Sequence, residues 1–339
     1  MAKNPLVSVI VPNYKHARFL PQRLSSIFNQ TMEDFEVILL DDASPDNSVE
    51  ILESYASHPK VSALRINEKN SGSVSKQWNL GVSLAKGDYV WIAESDDYAD
   101  PQFLAEMTAA IAQDQNIAIA FCISNLVDDE GIIKGLCRKW YDDYDWGQSF
   151  TKDGTWALQR YFHSSNPIPN VSGALIRKSA FLNAGSADDS FKLSGDRDLY
   201  IRILSTTKLA YVAKTLNNFR RHAASVTFVD SERIRVNENL RSLSKVIQAL
   251  KDSGNSPSEL ANVKNRGLRN LRNRFADVRD VLHLDTYRHL IEISKIAWPI
   301  DRFFGLKTLF TCIVVKFKKT ARRIPRIPQK IRSLIKGKN

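Results

Sequence analysis

Glu94-Ser95-Asp96-Asp97 sets three carboxylates within four residues, directly after the apolar run Tyr89–Ala93 and shortly before Pro101. Oxygen-rich clusters suit hard cations such as Mg²⁺ or Mn²⁺, which in turn hold and neutralise phosphates. A metal here would grip a pyrophosphate and stabilise the charge on a departing phosphate. Capping the helix that opens at Pro101 needs one acid, and Asp100 supplies it. Glu94, Asp96 and Asp97 are therefore candidate ligands. Asp41-Asp42 closes a second apolar run, FEVILL. Read alone, that pair is either an Asx-type turn before a helix or a carboxylate accepting hydrogen bonds from a base or ribose. The chain has no G-x-G-x-x-G and no P-loop sequence, which excludes a Rossmann dehydrogenase and a P-loop enzyme.

The elements that must position these acids alternate in kind. LVSVIV (6–11), FEVILL (35–40), VSALRI (61–66) and DYVWIA (88–93) read as strands. Between them, Leu20, Leu24, Ile27 and Phe28, then Val49, Leu52 and Tyr55, then Val74, Trp78 and Val82 recur at helical spacing. Such alternation predicts right-handed βαβ units and a mostly parallel sheet covered by helices on both faces. Ligands bind such sheets at the carboxyl ends of the strands, which is where both acidic groups fall. Residues 127–165 read as long loops and 171–178 as a strand. A helix is expected around Asp196–Leu204, then short strands to Arg221. From Ser231 the pattern becomes long helices, one with the stripe Val236, Leu240, Leu243, Ile247 and Leu250, the next with Leu268, Leu271, Phe275, Val278 and Leu282. Ser256-Pro257-Ser258-Glu259 carries the signature of a capped helix start between them. The expected organisation is a catalytic domain over 1–228, a helical region over 229–300 and a basic amphipathic tail over 301–339.

Several ordered blocks resemble family 2 glycosyltransferases: VSVIVPNYKHARFLPQRLSSIFNQT, FEVILLDDASPDNS and NSGSVSKQWNLGVSLAKGDYVWIAESDD. The resemblance covers about residues 5–225 and implies a GT-A fold that binds a nucleotide-diphosphate sugar with Mn²⁺ or Mg²⁺. Carried over position by position, it implies that Pro12, Tyr14 and Asp42 cradle the base and ribose. Asp96 and Asp97 serve the ribose and the metal, with Glu94 standing where the family usually has Asp. Lys76 matches a basic position near the pyrophosphate, or is a solvated helix lysine. LSGDRDLYIRIL resembles the segment that carries the general base, which is Asp196 here, with Gly195 replacing the glutamate that usually precedes it. The alternative for Asp196 is an N-cap, and the two roles are compatible. FRRHAASVT resembles the element closing the domain and implies that His222 reaches the metal or the diphosphate. His16, His58, His163, His283 and His289 match nothing and receive no role.

The composition, 43% apolar and 25% charged, is that of an ordinary globular protein. Its three cysteines form no pair motif and read as reduced thiols. The net charge of +11 resides in the tail: from Arg302 onward there are twelve Lys/Arg and no Asp/Glu. Basic residues interleaved with Ile327, Ile331, Leu334 and Ile335 point to an anionic membrane surface, with sequence-independent nucleic-acid binding or a solvated tail as alternatives. No run approaches the ~20 apolar residues that span a bilayer. The expectation is a cytoplasmic enzyme, peripheral on the inner face of the membrane. It would pass a sugar, most commonly from UDP, to a hydroxyl of a glycan or lipid-linked acceptor in cell-envelope polysaccharide. Specificity is expected from residues 127–170 and around Ser172-Gly173. The rivals are a nucleotidyltransferase on a related sheet and a non-catalytic membrane- or nucleic-acid-binding protein.

Overall fold

A computed structural model describes residues 4–137, 146–222, 232–278, and 291, 294–295, 297–298, 300–304, 306–309 and 311. The chain divides into two compact units, Met1–Lys264 and Asn265–Asn339. The sequence-derived boundary near residue 228 falls inside the first.

The first unit is built on one sheet. Its strands are β1 (Val7–Asn13), β2 (Phe35–Asp41), β3 (Val61–Ile66), β4 (Tyr89–Ile92), β5 (Tyr98–Ala99), β6 (Ile117–Val127), β7 (Ile133–Cys137), β8 (Phe150–Asp153), β9 (Ala174–Arg177) and β10 (Lys208–Arg220). The helices are α1 (Leu20–Phe28), α2 (Ser48–Ser54), α3 (Val74–Leu84), α4 (Phe103–Ile111), α5 (Gly154–Ala157), α6 (Lys178–Asn183), α7 (Gly195–Leu204) and α8 (Glu232–Asp252). A further helix, α9 (Pro257–Val278), begins in the first unit and ends in the second.

The strand order is β3-β2-β1-β4-β9-β6-β10-β5, with β7 on β6 and β8 on β10. β3, β2, β1 and β4 run parallel, as the βαβ reading expects. The sheet as a whole is mixed, because β9 lies antiparallel between β4 and β6, and β5, β7 and β8 add antiparallel pairs. Four further expectations change. Residues 127–165, expected as long loops, contain β7, β8 and α5. The strand expected over 171–178 is a 3₁₀ turn, Val171–Gly173, followed by β9. The short strands expected before Arg221 are one 13-residue strand, β10. The long strand β6 lies in a stretch that the sequence reading left unassigned.

Side chains alternate across the strands and build two apolar layers. Val7, Val9 and Val11 of β1 pack with Val37, Leu39, Trp91 and the inner faces of α1 and α4. Ile10, Ile38, Leu40 and Ile92 pack on the other face with Trp78 and Val82 of α3, Leu199 of α7, and Val246 and Leu250 of α8. In α8 the buried stripe is Val236, Leu240, Leu243, Val246 and Leu250, with Val246 taking the place expected for Ile247. One glycine sets a close approach. A Cβ at Gly87 would lie 2.7 Å from the Ser8 amide nitrogen, where the chain enters β4 against β1. The expected cap of α9 forms as a reciprocal pair: the Ser256 amide donates to Glu259 Oε2 at 2.8 Å and the Glu259 amide to Ser256 Oγ at 3.4 Å.

In the second unit Leu268, Leu271, Ala297, Phe304 and Thr308 are buried, whereas Trp298, Phe303 and Leu306 are exposed. Among the described residues no helix is long and apolar enough to cross a membrane. Leu282 and the basic tail beyond Thr311 lie outside the described residues.

Candidate active site

The carboxyl ends of β1, β4 and β10 bring three side chains together. Ligand atoms of His16, Asp96 and His222 lie within 4.8 Å of one another, the single such group among the described residues. His16 leaves β1 after Tyr14 and Lys15, and its carbonyl accepts the amides of Phe19 and Leu20 that open α1. Asp96 lies in the turn between β4 and β5. His222 follows the end of β10, and its Nε2 sits 3.1 Å from Asp96 Oδ2. The two imidazoles meet edge to face, with centroids 5.2 Å apart.

Surrounding groups fix this geometry. Ser95 Oγ lies 2.9 Å from His16 Nδ1. Arg220, almost wholly buried, donates from Nε to the Asp96 carbonyl at 2.8 Å, from Nη1 to the carbonyls of Asp128 and Asp129, and from Nη2 to Gln22 at 2.6 Å. Burial lowers the His16 pKa from its ordinary value and so favours the neutral imidazole. Burial alone would raise Asp96, but the His222 hydrogen bond, with the pull of the neighbouring His16 and His222, outweighs it and holds this carboxyl below its usual range.

Glu94 and Asp97, expected as metal ligands, lie outside the cluster. Glu94 Oε1 accepts from Trp78 Nε1 at 2.7 Å, and burial together with the Asp96 charge pushes its carboxyl up to about 8. Asp97 Oδ2 accepts from Asn170 Nδ2 at 2.6 Å and Oδ1 from the Arg220 amide at 2.8 Å. Burial and the Asp96 charge push it to about 7. Their countercharge is Arg23 of α1, fully buried and 4.8 Å over the Trp91 ring. Its guanidinium nitrogens have no hydrogen-bond partner among the described residues. Burial lowers its pKa to about 10, against the opposing pull of Asp97, Asp96 and Glu94.

The expected nucleotide residues surround β1 and β2. Pro12 is buried within β1 and Tyr14 is exposed just beyond it, with the Lys15 ammonium 4.9 Å from its ring. Lys15 and Ala43 adopt φ of 61° and 60°, a left-handed conformation that costs non-glycine residues about 1–2 kcal/mol each. Asp41 holds these turns by accepting from Asn13 Nδ2 at 2.7 Å and the Ser44 amide at 2.8 Å. The Asp42 carboxylate is taken up differently than expected. It accepts from Asn67 Nδ2, the Ser71 amide, Ser71 Oγ and Gln77 Nε2, and thereby orders the loop from β3 into α3. Lys76, on the first turn of α3, is half-exposed and lies 3.8 Å from Asp189.

Asp196 occupies the first turn of α7, and its Oδ2 accepts from Asn166 Nδ2 at 2.9 Å. The cap is Ser194, whose carbonyl accepts the Asp198 amide, so Asp196 is not the N-cap. The Tyr200 hydroxyl is raised well above its ordinary pKa by burial and by the charges of Asp196 and Glu94, which places it in the field of both acids. His16 is the residue that sequence reasoning missed. Its one available signal was position: it follows the same strand end as Tyr14.

Residues 8–182, slightly more than half the chain, match the family described as Glycosyl transferase family 2. Chondroitin synthase of Pasteurella multocida (strain Pm70) is 33% identical over 137 residues, which is 40% of this chain and 14% of that relative's length. The fold is similar to the crystal structure of S. aureus TarS 1-349 in complex with UDP-GlcNAc, with a TM-score of 0.67, 17% identity, and 94% and 93% of the two chains covered. It is also similar to the mannosyltransferase PcManGT from Pyrobaculum calidifontis in complex with GDP-Man and Mn²⁺, with a TM-score of 0.56, 16% identity, and 92% and 87% covered. A parallel β1–β4 half with acids at its carboxyl ends, the matched residues 8–182 and the shared GT-A architecture agree: the chain belongs to glycosyl transferase family 2.

Proposed function

We propose that the protein is an inverting transferase. It moves a sugar from a nucleoside-diphosphate donor, UDP-sugars first, to a hydroxyl of a glycan or lipid-linked acceptor in cell-envelope polysaccharide. The observation that carries this reading is the meeting of His16, Asp96 and His222 at the strand ends of a GT-A-like sheet. The donor class is supported by two solved neighbours, one bound to UDP-GlcNAc and one to GDP-Man with Mn²⁺.

Two imidazoles and a carboxylate fit Mn²⁺ better than Mg²⁺, which prefers oxygen ligands and retains its waters. The neutral imidazole favoured at His16 is the form that binds a metal, and Ser95 on its Nδ1 is the kind of contact that orients such a ligand. His16, Asp96 and His222 would hold the ion, which when bound neutralises the diphosphate as it departs. Asp196 takes the proton of the acceptor hydroxyl as that oxygen attacks the anomeric carbon. The carbon–oxygen bond to the diphosphate breaks on the opposite face, and one such displacement inverts the configuration. Asn166 holds the base in place for this step. Pro12 and Tyr14 flank the base and ribose, Asp42 shapes the loop beside them, and Lys76 approaches the pyrophosphate. The basic residues beyond Arg302 support a peripheral position on the inner face of the membrane.

The test is a thermal-shift panel of UDP, dTDP, GDP and CMP, each with Mn²⁺ and with EDTA. A ligand at about 100 times its Kd stabilises by about 2.7 kcal/mol. A Mn²⁺-dependent rise with one diphosphate is expected. No rise with any nucleotide refutes the donor site.

A further inference from the structure

Helix α8 lies beyond the residues that match the family and reaches α7 with several polar side chains. Asn239 accepts from the Arg197 guanidinium, and Lys245 Nζ lies 2.5 Å from Asp198 Oδ1. Glu238, also on α8, is 3% exposed. Its Oε1 accepts the Lys192 amide at 2.5 Å, and its Oε2 accepts the Leu193 amide at 3.2 Å, the Ser194 amide at 2.9 Å and Ser194 Oγ at 2.7 Å. Three consecutive amides thus close on one buried carboxylate at the turn that launches α7. Successive N–H groups of this kind form an anion-binding nest, and hydrogen bonds to a charged acceptor are stronger than neutral ones. Ser194 makes no side-chain bond to its own helix, because its hydroxyl is spent on Glu238. The next residue, Gly195, has no side chain to take over: a Cβ there would stand 3.2 Å from Ser75 Oγ. Asp196 follows.

We propose that Glu238 is a positioning residue for Asp196, fixing the 192–194 turn so that the first turn of α7 presents the base to the acceptor. This inference rests on the assignment of Asp196 as the base. Glu238 touches neither donor nor acceptor in this scheme, so its loss acts on the chemical step and leaves donor binding intact. A displacement of about 1 Å in a reacting group costs up to about 100-fold in rate.

The experiment compares Glu238→Gln, Glu238→Asp and Asp196→Asn in the full chain. One measurement is the rate of UDP release from UDP-GlcNAc with Mn²⁺ and water as acceptor; another is amide hydrogen exchange over residues 190–198. Glu238→Gln sets an amide NH₂ against the turn's N–H donors. It is expected to speed exchange at 192–194 and to lower kcat by about 10- to 100-fold with KM for UDP-GlcNAc unchanged. Glu238→Asp restores part of the rate. Glu259→Ala, which breaks the cap of α9, is the control for lost stability alone and keeps the parental kcat. Unchanged exchange at 192–194 in Glu238→Gln overturns the clamp. A parental kcat in Glu238→Gln, with Asp196→Asn inactive, overturns the positioning role while leaving the base assignment standing. Turnover retained by Asp196→Asn overturns the base, and this inference with it.

Discussion

His16→Ala separates the site seen in the structure from the one legible in the sequence. It removes one of three ligand atoms that lie within 4.8 Å of one another. Contacts one step further from a metal already change affinity by about 10- to 100-fold when lost. Ser95 Oγ, 2.9 Å from His16 Nδ1, is such a contact. Ser95→Ala is therefore expected to weaken Mn²⁺ by about 10-fold. His16→Ala, which removes the ligand itself, is expected to cost at least about 100-fold, or about 2.8 kcal/mol. Glu94→Gln and Asp97→Asn behave differently. The Glu94 carboxyl, raised to about 8, leans toward its neutral form and is bound to Trp78, while both Asp97 oxygens are engaged by Asn170 and the Arg220 amide. Each is expected to change Mn²⁺ affinity by less than about 10-fold, the lower bound for an orienting contact. Mn²⁺ titration followed by EPR at pH 7, with UDP present, reads affinity without requiring turnover. Parental affinity in His16→Ala, or a 100-fold loss in Asp97→Asn, refutes the assignment and returns the metal to the carboxylates.

Three more outcomes follow from buried groups. Glu94 and Asp97 have folded-state pKa values of about 8 and about 7, above their ordinary 4.5 and 3.8. The folded protein therefore binds more protons than the unfolded chain across that window, and stability falls as pH rises through it. Tm measured in EDTA should drop between pH 5.5 and 9, and a flat profile would refute the shifts. Gly154→Ala would place a Cβ 2.0 Å from the Leu204 carbonyl oxygen. Such overpacking costs about 1–3 kcal/mol, visible as a Tm several degrees lower, and an unchanged Tm would show that α5 can move away. The Cys122 thiol, buried in β6, is pushed up to about 12 by burial. Peptide mapping after iodoacetamide at pH 8 should find Cys122 unmodified in the native protein and Cys137, half-buried on β7, modified before it.

The strands most plainly written in the sequence are those buried on both faces, although β3, half-exposed at the sheet edge, was read as well. β1, β2 and β4 are unbroken apolar runs because helices cover both sides, and βαβ connections leave little freedom in how such runs are paired. β9 and β10 were legible only in part, their bounds and continuity being missed for opposite reasons. β9 is four residues long and enters antiparallel after a 3₁₀ turn, so no period of its own develops. β10 is long but contains Asn217-Asn218, which reads as a turn signal. In the structure Asn217 is fully buried, and its Nδ2 donates to Ser124 Oγ at 3.0 Å and Asn170 Oδ1 at 3.1 Å. Those partners are 93 and 47 residues away in sequence, so local chemistry could not reveal them.

The acidic stretch shows the same limit at the scale of one residue. Its location, and its need for a countercharge, follow from sequence, since several carboxylates at the end of a buried strand must each be paired, neutralised or given to a ligand. Which fate falls to which acid is decided by the turn that the Asp97 amide closes onto the Glu94 carbonyl at 3.2 Å. That turn sends Asp96 toward His16 and His222 and Asp97 toward Asn170 and the start of the β10 exit, although the two acids are adjacent. Burial and the Asp96 charge push Glu94 toward neutrality against the Trp78 hydrogen bond, and Arg23 sits in the field of all three acids. Two of the three carboxyls are raised by burial, while the third lies 3.1 Å from His222 Nε2 and is held below its usual range. One carboxylate is thus left charged where the cation is expected, with two histidines contributed by distant strand ends.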